Sequence, residues 1–186
     1  MRRLILATAA LASACATKPA TAPVTTAHIA PDVALTLPTP PGYPQARTLH
    51  QIVRGRFAER SGVVEALLSL SPERVDIVLT AVSGPRLATL TWDERGVRED
   101  RTLLGGDQIP AQNILSDIFV SLWPEAAVRA SLPADAALEA DGPSRAITHG
   151  GAVVLEMAPD PEHADRLIVR NHALGYELTI ITQAVQ

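Results

Sequence analysis

The 186-residue sequence contains one cysteine, Cys15, so no internal disulfide can staple the chain. It contains no apolar run of the roughly twenty residues that a membrane-spanning helix needs. The stretch from Leu4 to Leu11 is the nearest approach, and Lys18, Pro19 and Pro23 follow soon after it. Blocks of one charge are missing as well: the net charge is −4, and neither a basic stripe nor aromatics interleaved with basic residues occur, which argues against electrostatic binding of nucleic acid. His28, His50, His149, His163 and His172 are scattered, and none forms a spaced pair with an acidic partner, so no metal signature is present. No G-x-S-x-G elbow precedes a helix. The glycine pairs in "LLGGD" (103–107) and "HGGA" (149–152) are not phosphate loops and read as turns. His149 beside Gly150 resembles an oxyanion-type motif, but it lies between two strand runs, where a hairpin turn accounts for it. Asp and Glu sit mainly at strand ends without a marked pair. These absences together predict a protein that is not an enzyme and carries no cofactor.

What the sequence does contain begins at the N-terminus. Arg2 and Arg3 precede an apolar core of about eight residues, and Ala12, Ser13 and Ala14 follow with small side chains, the layout of a secretory signal. The run Leu11-Ala12-Ser13-Ala14-Cys15 resembles the bacterial lipoprotein signal, in which small residues precede a cysteine that is acylated and becomes the mature N-terminus. The leucine favoured three places before the cysteine is Ala12 here, with Leu11 one place further out. Residues 1–14 are therefore expected to be a lipoprotein signal peptide and Cys15 the lipidation site, which also leaves no free thiol as a nucleophile. Each buried CH₂ contributes about 0.8 kcal/mol, so two or three acyl chains anchor firmly where one binds marginally. By the same resemblance, Ala16 in place of an Asp after the cysteine implies the outer membrane, with the protein facing the periplasm.

From Ala16 to about Gln45 the chain is rich in Pro, Thr and Ala and shows neither helical nor strand periodicity, so residues 15–45 read as a lipidated cysteine followed by a tether. In the alternative reading, part of "VALTLPTPP" packs on the domain as a first edge segment. Residues 46–186 are expected to form one domain, since the chain is long enough for one core and short for two.

Within that domain, short β-prone runs alternate with turn signals: "TLHQIVRGRF", "GVVEALLSLS", "RVDIVLTAV", "LATLTWD" and "RGVRED", an antiparallel meander of five strands. Ile114, Leu115, Ile118, Phe119 and Leu122 then form the apolar stripe of an amphipathic helix, with Pro110 suited to its first turn and Pro124 beyond its end. A shorter helical piece, "EAAVRASLP", follows. Strands resume with "RAITHG", "AVVLEMA", "DRLIVRN" and "YELTIITQ". Adjacent apolar pairs, Leu67 with Leu68, Leu167 with Ile168 and Ile180 with Ile181, imply strands that are apolar on both faces. Either a strongly curved sheet with the helices in its concavity or an α+β sandwich with helices on one face satisfies this pattern.

From about Leu49 to Thr182 the sequence resembles a proteobacterial family of outer-membrane lipoproteins of unknown function, often encoded with aryl-polyene or fatty-acid-like biosynthesis genes. More distantly it is similar to the LolB-type lipoprotein receptors. The stretches that carry the resemblance are "LHQIVRGRF", "RLATLTWDERGV", "ILSDIFVSLWPEAAVRASLP" and "NHALGYELTI". The resemblance implies an α+β fold of LolA/LolB type, an incomplete, half-open antiparallel β-barrel with a helical lid and an apolar cavity for acyl chains. The residues placed around that cavity are Leu68, Leu70, Ile77, Leu79, Leu90 and Trp92 from the sheet, and Ile118, Phe119, Leu122 and Trp123 from the lid. The loop "LTAVSGPRL" (79–87) puts Val82 where the receptors carry a larger membrane-touching side chain. The implied partners are an acyl chain or lipidated cargo, a periplasmic LolA-like carrier and the outer membrane, for a protein acting as a monomer. A different class also fits: a structural or interaction lipoprotein in which the same residues fill a core and the outer surface binds a partner complex.

Overall fold

The computed structural model describes residues 25–57, 59–102 and 111–184. The signal peptide, Cys15 and the expected helix-start residue Pro110 lie outside the described residues. Two strands come first, β1 (Thr25–Ala30) and β2 (Val33–Leu37). A meander follows: β3 (Arg47–Phe57), β4 (Arg60–Leu70), β5 (Val75–Ala81), β6 (Arg86–Asp93) and β7 (Gly96–Arg101). Helices α1 (Ala111–Leu122) and α2 (Glu125–Ser131) separate it from a second meander, β8 (Ala136–Asp141), β9 (Ser144–His149), β10 (Ala152–Pro159), β11 (Arg166–Asn171) and β12 (Tyr176–Ala184).

The two meanders form one ten-stranded antiparallel sheet because β12 pairs with β3, which gives the order β7-β6-β5-β4-β3-β12-β11-β10-β9-β8. Edges β7 and β8 have no strand beyond them in this order, so the sheet is open and the fold is α+β. The five strands expected before the helices and the four expected after them all form. Strand β8 escapes a sequence reading because Ala136, Ala137 and Ala140 dominate it, and alanine carries little strand preference. "HGGA" is a two-residue hairpin turn: His149 pairs with Ala152 across Gly150 and Gly151, whose φ values of 58° and 81° suit glycine.

The sheet curls. Trp123 stacks on Trp92 of β6, with ring centroids 5.2 Å apart, while its carbonyl accepts a hydrogen bond from Arg145 of β9 at 2.7 Å. These strands are seven places apart in the order, so a flat sheet would hold them roughly 33 Å from one another. One residue reaching both requires the sheet to wrap around the helices. Of the two arrangements the periodicity leaves open, the curved one forms.

The interior also contains the stretch read either as a tether or, for part of "VALTLPTPP", as a segment packed on the domain, and the residues of "VALTL" do pack, as one strand of a hairpin. The stretch read as a tether folds from residue 25 onward: β1 and β2 pair as a separate antiparallel hairpin, with Ala27, Ile29, Val33 and Leu35 at 0 % exposure. Strand β1 lies along α1 and touches β10, while β2 touches α2. Alternation is the reason a hairpin forms here. Ala27, Ile29, Leu35 and Leu37 occupy every second position of their strands, and Asp32 stands in the turn between them. The following "PTPPGYP" is laid across the helices, where Tyr43 is buried edge-on against Trp123 at 4.9 Å.

Helix α1 differs from a one-sided lid for the same reason. Leu115 to Val120 are six consecutive buried residues, more than a full turn, so the helix has no solvent face over this stretch. The sheet covers one side and β1 another.

Candidate functional site

The ten residues expected around a cavity do come together on the inner face of the sheet and on the helices. Inward positions alternate along the strands, so Leu68 and Leu70 of β4, Ile77 and Leu79 of β5, and Leu90 and Trp92 of β6 share that face. Ile118, Phe119 and Trp123 pack onto them, with Leu122 half-buried at the margin. The interior is filled. Leu68, Ile77, Trp92 and Phe119 are 0 % exposed, and Leu90 and Trp123 are 1 %, so no water-sized space adjoins their side chains. Trp92, Phe119 and Trp123 form an aromatic cluster with centroid separations of 5.2 to 6.0 Å.

Two indole N–H groups inside this cluster need acceptors. Trp92 Nε1 donates to the Pro38 carbonyl at 2.8 Å, and Trp123 Nε1 to the Pro41 carbonyl at 2.7 Å. The proline-rich stretch is suited to this task, because prolines bring no N–H of their own and leave carbonyls free to accept. Gly42 N–H donates to the Pro72 carbonyl at 2.9 Å and ties the same stretch to the β4–β5 turn.

A buried polar chain runs beside the apolar cluster. Tyr176 Oη on β12 donates to the Asp117 carboxylate on α1 at 2.9 Å. Asn171 Nδ2 on β11 donates to the Ile29 carbonyl of β1 at 2.8 Å and lies 3.4 Å from Tyr176 Oη. Burial raises the Asp117 carboxyl to about 7, only partly offset by the tyrosine hydrogen bond. Burial, with the neighbouring Asp117 charge, raises the Tyr176 phenol well above its ordinary value and keeps it a donor. Tyr176 lies in the "YELTI" segment singled out in the sequence. Asp117 is the one charged residue of α1, and a carboxylate between Leu115 and Ile118 of its apolar stripe is the sequence signal that marks it.

The outer face is of a different kind. Arg56, Glu177, Arg170 and Glu156 make a cross-strand row of alternating charge over β3, β12, β11 and β10, with Arg170 Nε 2.9 Å from Glu177. A shallow cleft of about 350 Å³ opens beside Arg56 and Tyr176. Its arginines are paired with carboxylates. Val82 stands at 62 % exposure in the β5–β6 turn, the most exposed of the large apolar side chains described. His149 bridges two carboxylates, Asp135 at 3.1 Å and Asp32 of the β1–β2 turn at 3.5 Å. Among the described residues, no cluster of His, Cys, Asp and Glu is arranged to hold a metal ion, and no helix is long and apolar enough to cross a membrane.

Residues 48–184 match the model of a protein family described as "Protein of unknown function (DUF3261)". A comparison with curated proteins found no match. The matched span takes in the ten-stranded sheet and both helices and begins after the hairpin.

Proposed function

The chain belongs to the DUF3261 family of proteins of unknown function, and from its architecture we propose that it is a lipid-handling protein: an outer-membrane-anchored periplasmic lipoprotein with a LolA/LolB-like incomplete barrel that accepts an acyl chain inside its curled sheet. One observation carries this reading. The inner face is covered by α1, α2 and a hairpin that share no strand ladder with the sheet, so an interior space opens by separating apolar surfaces while the sheet stays whole. Acyl burial would drive the exchange at about 0.8 kcal/mol per CH₂, with no covalent step. Cys15 supplies the anchor in this reading, a soluble LolA-like carrier hands over the acylated or aryl-polyene cargo, and Val82 offers a small apolar contact to the membrane.

The second reading, an anchored interaction module with a permanent core, is favoured by the 0–1 % exposure of the central residues. Titration of the full chain with a fluorescent fatty acid, together with mass spectrometry of lipids that co-purify with it from its native host, separates the two. Saturable binding and an acyl-bearing lipid are the expected results. An empty protein that takes up no probe leaves the interaction module standing.

A further inference from the structure

Resting on the acyl-binding reading, we propose that the β1–β2 hairpin is a displaceable plug that occupies the place of a single acyl chain inside the curled sheet. The hairpin is an insert by its bonding. It forms its own two-stranded sheet, so every ladder hydrogen bond it makes is internal and would survive its departure. Among the described residues, its polar ties to the remainder of the fold are the Asn171 amide to the Ile29 carbonyl and the Asp32 carboxylate beside His149. The rest of its attachment is apolar: Ala27, Ile29, Val33, Leu35 and Leu37 are buried on its inner side.

Dimensions and chemistry fit an acyl chain. The six residues of β1 span about 20 Å, close to an extended chain of about sixteen carbons with C–C bonds of ~1.5 Å. The surfaces against it belong to α1, α2 and the inner sheet, where apolar core residues adjoin the buried polar chain of Asn171, Tyr176 and Asp117. A hinge is also present. Residues 38–42 are held by Trp92, Trp123 and the Pro72 carbonyl, so the hairpin can leave while the chain just after it stays docked. The family match covers the container and begins beyond the plug. Strand β1 starts ten residues after Cys15, which puts the plug next to the proposed anchor.

A plug lowers apparent affinity by the fraction of molecules in which it is seated. Full-length Ile29→Ser and Leu35→Ser weaken its seating without touching the container, and each is expected to bind cis-parinaric acid at least about tenfold more tightly than the parent. Hydrogen exchange on the unaltered protein gives a measurement that does not depend on the variants folding. Added palmitate should raise exchange at residues 25–37 and leave β3, β4 and β12 protected. If the parent binds the probe while the variants bind no tighter and the hairpin stays protected, the plug is overturned and acyl binding stands. If neither parent nor variants bind, the acyl-binding reading falls and the plug with it.

Discussion

Asp117 is a carboxyl group buried with one phenol as its partner, and its ionisation makes it a cost to the fold at neutral pH. Its folded pKa of about 7 lies above the ordinary value of 3.8, so between these limits the folded state holds the proton more tightly than the unfolded chain. The stability this confers is fully present below about pH 4 and is lost as pH rises through about 7, a change of up to about 4 kcal/mol. Asp117→Asn keeps an acceptor for Tyr176 and removes the titration. Urea unfolding between pH 4 and 8 should show the parent losing stability across this window and the variant nearly flat, with the variant the more stable at pH 8. An equal slope in both would mean that Asp117 is not the group responsible. Tyr176 lies in a strand that the sequence makes legible, but its pairing with Asp117, 59 positions away, follows only when β12 meets α1.

At the scale of elements, α1 carries no basic residue in its last turn, and the strand across from it supplies the missing charge. Arg145 of β9 donates to the carbonyls of Val120 and Trp123, at the end where the helix dipole is negative. Partial burial pulls the Arg145 guanidinium below its ordinary pKa, yet it stays charged. Arg145→Met should cost about 2 to 3 kcal/mol in urea unfolding, the value of a charge-assisted hydrogen bond with its buried acceptors left bare. Arg145→Lys should restore part of it. A loss below about 0.5 kcal/mol would show that water caps the helix as well. Arg129, in the last turn of α2, instead donates to the Leu138 carbonyl of β8 and ties that helix to the edge strand. The apolar stripe announced α1, and the turn residues announced most strands, because both signals are local. The capping partner is not local, and the hairpin was masked by the prolines and threonines around it.

For the whole molecule, the open sheet leaves two edges, and both are guarded by charge. Strand β7 carries Arg98, Glu99, Asp100 and Arg101 in succession, and β8 carries Glu139 and Asp141. Charged edge strands oppose edge-to-edge pairing with another copy. In the proposed reading, attachment to the outer membrane rests on a lipid at Cys15. Cys15→Ser should move the protein from the outer-membrane fraction to the soluble one, or leave it unprocessed, while the folded domain keeps its circular dichroism and unfolding midpoint. Retention in the outer membrane at the parent's level would reject the lipid anchor.

The sequence by itself determined the order of strands, helices and strands, the nine sheet strands with strong turn signals, and ten of the apolar residues of sheet and helices that meet inside. Periodicity and turn chemistry are carried by neighbours a few residues apart, and they need no tertiary partner to be read. Only the tertiary structure decided that the sheet curls, that α1 has no solvent face from Leu115 to Val120, and that the interior is filled by a hairpin drawn from the Pro- and Thr-rich stretch. Alternation in β1 and β2 spans only five or six residues each, too short to outweigh a Pro- and Thr-rich composition. Its apolar side chains become a core only where the curled sheet and α1 offer them a surface to bury against.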